Sequence, residues 1–143
     1  MPAIEPGLSQ IALTAFGLIG GILVPSPVQS QTESPTMETT IQVDNAVTSL
    51  VNVFTVEPDN QSKVYGLLQE GIEIMFSKMP GWISSNLLRS RDGKQVVVYS
   101  QWRDASDIDA FRQDPRMKPY FQKFGALAKH ESFTCDVTYS LHA

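Results

Sequence analysis

Asn52 and Trp102 are the two residues whose types and places most suggest chemistry. Asn52 lies in "LVNVFTV", in phase with Leu50, Phe54 and Val56 on one face of an extended run. A carboxamide among apolar groups is costly to bury unless it is hydrogen-bonded. It therefore serves either a backbone contact of the scaffold or a ligand in a pocket. Trp102 ends "QVVVYSQW" and shares a face with Val96, Val98 and Ser100. A tryptophan at a strand end closes a core or lines a pocket between sheet and helices, and its indole N–H needs a partner if buried.

Other reactive types are sparse. There is one cysteine, Cys135, so no intramolecular disulfide forms and cysteine usage does not report the compartment. Cys135 falls on an apolar face and reads as an inert buried thiol. His130 and His142 show no partner pattern and read as surface residues. No Cys/His spacing suits zinc, so no metal site is expected. Arg89, Arg91, Lys94 and Arg103 gather around a turn and a strand end. They read as a solvated rim, or as a guide for an acidic aromatic. The net charge is −4, from 11 basic and 15 acidic residues, without a basic cluster carrying aromatics. Nucleic acid is not expected as a partner.

The elements that must position these residues follow from periodicity. Residues 48–57 are apolar and β-branched on both faces, which suits a strand covered on both sides. "PDNQ" breaks it, with Asp59 or Asn60 as a helix cap. Val64, Leu67, Leu68, Ile72, Met75, Phe76 and Met79 form one helical stripe, and Gly71 on that stripe would let the helix approach the sheet closely. "WISSNLLRS" is a strand, Asp92-Gly93 a two-residue hairpin signal, and 95–102 the returning strand. Asp104 or Ser106 caps a short helix carrying Ile108 and Phe111. Pro115 opens the next, with Met117, Tyr120, Phe121, Phe124 and Leu127. A final strand is expected over 133–142, alternating Phe133, Cys135, Val137, Tyr139 and Leu141 against polar residues. The order predicts an α+β, ferredoxin-like βαββαβ fold with an antiparallel sheet. Val51, Val53, Val97 and Tyr99 would leave an apolar face away from the helices, which predicts a homodimer.

The chain has 143 residues, which suits one domain and an amino-terminal extension. Ile11 to Val24 is an apolar run of the length of a signal-peptide core, with a candidate cleavage site after Ser30. Its start carries Glu5 and no basic residue; the first is Lys63. A cleaved signal over 1–30 is expected, with an uncleaved anchor or a start at Met37 as alternatives. The product would be exported if the segment is cleaved and cytoplasmic otherwise, with no stable membrane span in the mature form. Residues 31–46 read as a disordered linker, and 47–143 as the folded domain.

"LVNVFTVEPDNQ", "MPGWISSNLLRSRDGKQVVVYSQWRD" and "FRQDPRM" together resemble the antibiotic biosynthesis monooxygenase (ABM) domain family, from about Thr48 to Ala128. The resemblance implies a dimeric α/β barrel. For enzymatic members it implies oxygenation of electron-rich aromatic compounds without a flavin, haem or metal cofactor; another branch of this fold degrades haem. Of the polar site positions it implies, Trp102 matches. An asparagine position falls at Val98, a tyrosine at Ile108 and an arginine at Phe121. Asn52 matches a catalytic asparagine of the haem-degrading branch in an N-x-x-T context, but that branch's histidine position falls near Tyr120 or Phe121. Asn52 and Trp102 are the candidate catalytic residues. Phe54, Met75, Phe76, Val98, Ser100, Ile108, Phe111, Tyr120 and Phe121 are the candidate walls of a pocket for a small aromatic or apolar ligand. The expected function is a cofactor-independent monooxygenase acting on a small phenolic or quinol-type compound. The alternative is a non-catalytic barrel that binds an apolar ligand, with haem binding a third reading.

Overall fold

The computed structural model describes residues 37–43 and 46–143. The expected signal segment and half of the expected linker lie outside the described residues. Strand β1 (Thr48–Val56) leads through a 3-10 turn at Pro58–Asn60 into helix α1 (Gln61–Ile74). A second 3-10 turn, Phe76–Lys78, precedes the hairpin of β2 (Trp82–Arg89) and β3 (Gln95–Trp102). Helix α2 (Ala105–Gln113), a turn at Pro115–Met117, helix α3 (Lys118–Leu127) and strand β4 (Ala128–Cys135) complete the fold. The strands pair antiparallel in the order β2-β3-β1-β4. This is the expected ferredoxin-like βαββαβ arrangement. No helix among the described residues is long and apolar enough to cross a membrane.

Side-chain alternation explains the layering. Leu50, Phe54 and Val56 of β1 and Val96, Val98 and Trp102 of β3 are buried on one face. Opposite them lie Val64 and Leu68 of α1, Ile108 and Phe111 of α2, and Phe124 of α3. Asp104 starts α2 by accepting from the backbone N–H of Ser106 at 2.9 Å and Asp107 at 3.3 Å. Asp114 does the same for the turn at Pro115, accepting from Arg116 N–H at 2.9 Å.

Several expectations are corrected. The first helix does not run on to Met79. It ends at Ile74, and Met75 leaves helical geometry at φ −136° and ψ −57°. Gly71 does permit a close approach, but to the Phe76 ring folded back against it rather than to the sheet; a Cβ there would lie 2.7 Å from Phe76 Cζ. Neither Asp59 nor Asn60 caps α1 with its side chain. The hairpin is wider than a two-residue turn. Ser90 N–H donates to Gln95 O at 3.0 Å, Gly93 N–H to Ser90 O at 3.2 Å, and Gly93 takes φ +81°. The last strand begins at Ala128 and stops at Cys135, instead of spanning 133–142. Its register against β1, Val56 opposite Ala128 through Ser49 opposite Cys135, nearly exhausts the partner strand. Tyr139 and Leu141 beyond it are exposed.

The second sheet face carries Val51, Val53, Val97 and Tyr99, all half-buried, and the more exposed Leu88 and Phe133. Residues just before β1 reach this face. Thr39 Oγ1 donates to Asn86 Oδ1 at 2.7 Å, and Gln101 Nε2 donates to Thr40 O at 2.8 Å.

Candidate active site

The helix-covered face encloses a cavity of about 60 Å³. A single water needs roughly 10–15 Å³ in this measure. The space therefore takes a few waters or part of a ring, and a larger ligand must extend through the mouth. Its walls come from both buried clusters of the core. Leu50, Phe76, Trp102 and Phe111 belong to one, and Phe54, Leu68, Val98 and Phe124 to the other. Arg112, Phe121 and His130 line the cavity and are exposed, so they form its mouth.

Trp102 stands at the closed end. It is 2% exposed, and its ring lies 5.2 Å from that of Phe111. Its indole N–H donates to Ser100 Oγ at 3.2 Å, and Ser100 Oγ–H donates to Leu50 O at 3.3 Å. The relay satisfies both buried polar groups inside the protein. Trp102 thus offers the cavity a flat apolar surface, with its N–H already engaged.

Asn52 stands toward the mouth. Across the β1–β3 ladder its direct partner is Val98, where the family resemblance places an asparagine. Directly paired residues project to the same side about 4.5–5.5 Å apart. Asn52 and Val98 therefore stand side by side on the cavity face. Asn52 Oδ1 lies 2.8 Å from His130 Nε2. An amide oxygen only accepts, so Nε2 carries the hydrogen and Nδ1 is left with the lone pair. Among the described residues, Asn52 Nδ2 has no hydrogen-bond partner.

His130 is held flat against Phe54, with ring centroids 4.6 Å apart and planes 9° from parallel. Burial pushes its pKa below the ordinary 6.5, and the nearby Arg112 charge lowers it further. The imidazole is accordingly neutral near pH 7. Arg112 is tethered by donation to Ser132 Oγ at 2.9 Å and by Asp109 at 3.7 Å.

Of the sequence-derived residues, Asn52, Phe54, Phe76, Val98, Ser100, Trp102, Phe111 and Phe121 line this cavity. Met75, Ile108 and Tyr120 stand behind its wall. Ile108 is 1% exposed within the core, and Met75 packs on the same cluster from outside the helix end. Tyr120 spends its ring on Phe76 and Phe124. His130 is exposed, as expected, but the reading that it has no partner is corrected by its bond to Asn52 and its stack on Phe54. Arg112 was missed as well. The signal for His130 lies in the alternation of "KHESFTC" once the strand starts at Ala128, which pairs His130 with Phe54 and Ser132 with Asn52. Among the described residues, no group of three or more His, Cys, Asp or Glu could hold a metal ion.

A four-stranded antiparallel sheet backed by helices, with an amide, an imidazole and an indole around one cavity, defines a small α+β ferredoxin-like domain. The family model described as antibiotic biosynthesis monooxygenase (ABM) matches residues 48–123. The chain belongs to this family. It is similar to tetracenomycin-F1 monooxygenase of Streptomyces glaucescens, with 39% identity over 95 residues, 66% of this chain and 85% of that protein. Among solved structures, it resembles a monooxygenase from the gene ActVA-Orf6 of Streptomyces coelicolor in complex with nanaomycin D. There the TM-score is 0.63 and the identity 23%, covering 68% of this chain and 93% of that one. SnoaB, a cofactor-independent oxygenase from Streptomyces nogalater, gives a TM-score of 0.57 and 24% identity, covering 67% of this chain and 97% of that one. At these identities the solved structures establish the shared fold.

Proposed function

We propose that this protein oxygenates a small phenolic or quinol-type aromatic compound, with the substrate itself supplying the electrons. The observation that carries the reading is the Asn52 carboxamide, which lines the cavity with an unengaged Nδ2–H donor across from Val98. Ionising a phenol places negative charge on its oxygen and, by conjugation, on a ring carbon. A preorganised N–H donor stabilises that charge where it develops. The carbanion form adds O2, forming a C–O bond. Cleavage of the O–O bond and loss of the ring hydrogen leave a quinone carbonyl and one water. Phenol plus O2 gives quinone plus water, so the equation balances without a separate reductant. Trp102, Phe54, Phe76 and Phe111 provide the apolar walls against which an aromatic ring packs. In this reading two copies associate through the face carrying Val51, Val53, Val97 and Tyr99, and a monomeric mass by light scattering at micromolar concentration would sink that part.

A specific observation favours a second reading. Val98, Ile108 and Phe121 are apolar where the family resemblance places polar groups, which suits a barrel that holds a ligand without consuming oxygen. Oxygen uptake by the purified protein against a panel of anthrones and hydroquinones separates the two. The oxygenase reading expects uptake above autoxidation that is lost in Asn52→Ala. Binding of panel compounds with uptake no faster than autoxidation supports the second reading.

A further inference from the structure

An oxygenation that starts from a phenol needs a group to take the hydroxyl proton, and none of the sequence-derived site residues can. Val98, Ser100, Trp102 and the aromatic walls are not bases near neutral pH, and Asn52 is an amide. We propose that His130 is the proton acceptor of this cavity: its Nδ1 takes the hydroxyl proton of a bound phenol while Asn52, gripped through Oδ1 by Nε2–H, turns Nδ2–H to the resulting phenolate. This rests on the oxygenase reading and adds a catalytic residue to it.

Three observations carry the inference. The first is the 2.8 Å contact between His130 Nε2 and Asn52 Oδ1, which fixes both groups at once. It selects the tautomer with a free Nδ1, and it fixes which end of the carboxamide remains free to donate. The second is the stack on Phe54, which holds the imidazole plane with a rigid core residue. The third is placement, since His130 lines the cavity and is exposed at its mouth, where a substrate enters.

The charges around the ring suit the task. From α2 the facing charge is Arg112, itself held by Asp109 and Ser132. From β1 the neighbours are Asn52 and Phe54, and from α3 the cavity takes Phe121 and Phe124, all uncharged. On β4 itself, Lys129 and Glu131 alternate to the other sheet face, opposite Thr55 and Val53. In the empty site Arg112 and burial keep the imidazole neutral and therefore able to accept. A phenolate beside Arg112 supplies the missing negative charge, so the imidazolium forms only when a substrate ionises. The O–H bond breaks, the Nδ1–H bond forms, and the proton later leaves with the hydroxide as water.

4-Nitrophenol tests this without oxygen chemistry, because its phenolate is coloured. At a pH below the free phenol's pKa, adding the wild-type protein should raise the phenolate band, and His130→Gln should not. His130→Phe, which retains an aromatic partner for Phe54, should behave like His130→Gln if proton transfer rather than packing is at stake. Equal phenolate formation in wild type and both variants overturns the proposal, as does a wild type that binds only the neutral phenol. On a turned-over panel substrate, kcat should fall about 10²–10⁴-fold in His130→Gln with loss of the acidic limb of its pH profile. An unchanged kcat and acidic limb overturn the role of His130 and leave the oxygenase reading intact. Ionised nitrophenol with no oxygen uptake across the panel does the reverse.

Discussion

The two ends of the cavity use the same sheet face in opposite ways. At the Trp102 end, the indole N–H donates to Ser100 and Ser100 to the Leu50 carbonyl, and all three residues are buried. At the His130 end, Arg112, Phe121 and His130 are exposed, Asn52 is half-buried, and its Nδ2 has no partner among the described residues. A polar group saturated by the protein has no capacity left for a substrate. A polar group held by one atom and free at another does. The closed end therefore builds shape, and the open end carries hydrogen-bonding capacity.

The largest effect expected from this contrast is on stability, at the closed end. Trp102→Ala removes the largest fully buried side chain and opens a cavity against Leu50 and Phe111. Urea denaturation should show a loss of about 3–5 kcal/mol. Asn52→Ala should reverse the pattern. Turnover should drop about 10²–10³-fold, as for a removed oxyanion donor. The urea midpoint should move little, because the orphaned His130 Nε2–H sits at an exposed mouth where water can replace the amide. If Asn52→Ala unfolds as readily as Trp102→Ala, the two ends are not functionally distinct.

Much of the closed end was legible in the sequence. The period of two in "QVVVYSQW" places Val96, Val98, Ser100 and Trp102 on one face, and β3 occupies 95–102 as expected. Asp104 announces α2 because an N-cap is a local interaction between a side chain and the next few amides. The open end was harder to read for two physical reasons. The limits of β4 are set by β1, a partner some eighty residues away, and not by the local pattern that suggested Phe133 as a start. With the strand misplaced, His130 fell outside the sheet and its bond to Asn52 could not be inferred. Depth was also invisible. A helical stripe tells which face of α2 is buried, but not that Ile108 lies behind the wall while Phe111 lines it.

A smaller effect tests whether the closed end is also anchored from outside. Gly81 takes φ +83°, and a Cβ there would collide with the Asp107 carboxylate. That carboxylate is buried and receives Arg103 Nε at 2.9 Å and Nη2 at 2.7 Å, while Arg103 N–H donates to Gly81 O at 2.7 Å. The loop before β2 is thereby locked to the turn after Trp102. Gly81→Ala must either strain a left-handed backbone or push the carboxylate off its arginine, and about 1–3 kcal/mol of stability should be lost. Thermal unfolding without a shift in midpoint would show that this lock does not support the tryptophan end.

The smallest effect separates the ends by pH. His130 has a folded-state pKa pushed below 6.5 by burial and by Arg112, so the unfolded chain takes up the proton first. The stability linked to it is fully present above the unfolded value and is lost as pH falls through the folded one. Two carboxylates near the closed end act lower. Asp114 is held at about 2, first by the side-chain hydrogen bond from Arg116 and then by the Arg116 backbone N–H. Asp104 is lowered chiefly by the Ser106 hydroxyl. Their contribution is present above the ordinary carboxylate value of 3.8 and is lost as pH falls below it. Asp104 is exposed and the Arg116 that pairs with Asp114 is exposed too, so the step should be shallow. Urea midpoints followed downward from neutral pH should thus decline in two stages, the first beginning below about 6.5 and the second below about 3.8. His130→Gln should remove only the first stage, because no other described group with a lowered pKa titrates in that window. A first stage that survives the substitution would mean that the open end's proton sits elsewhere, and the division between a saturated end and a titrating end would have to be redrawn.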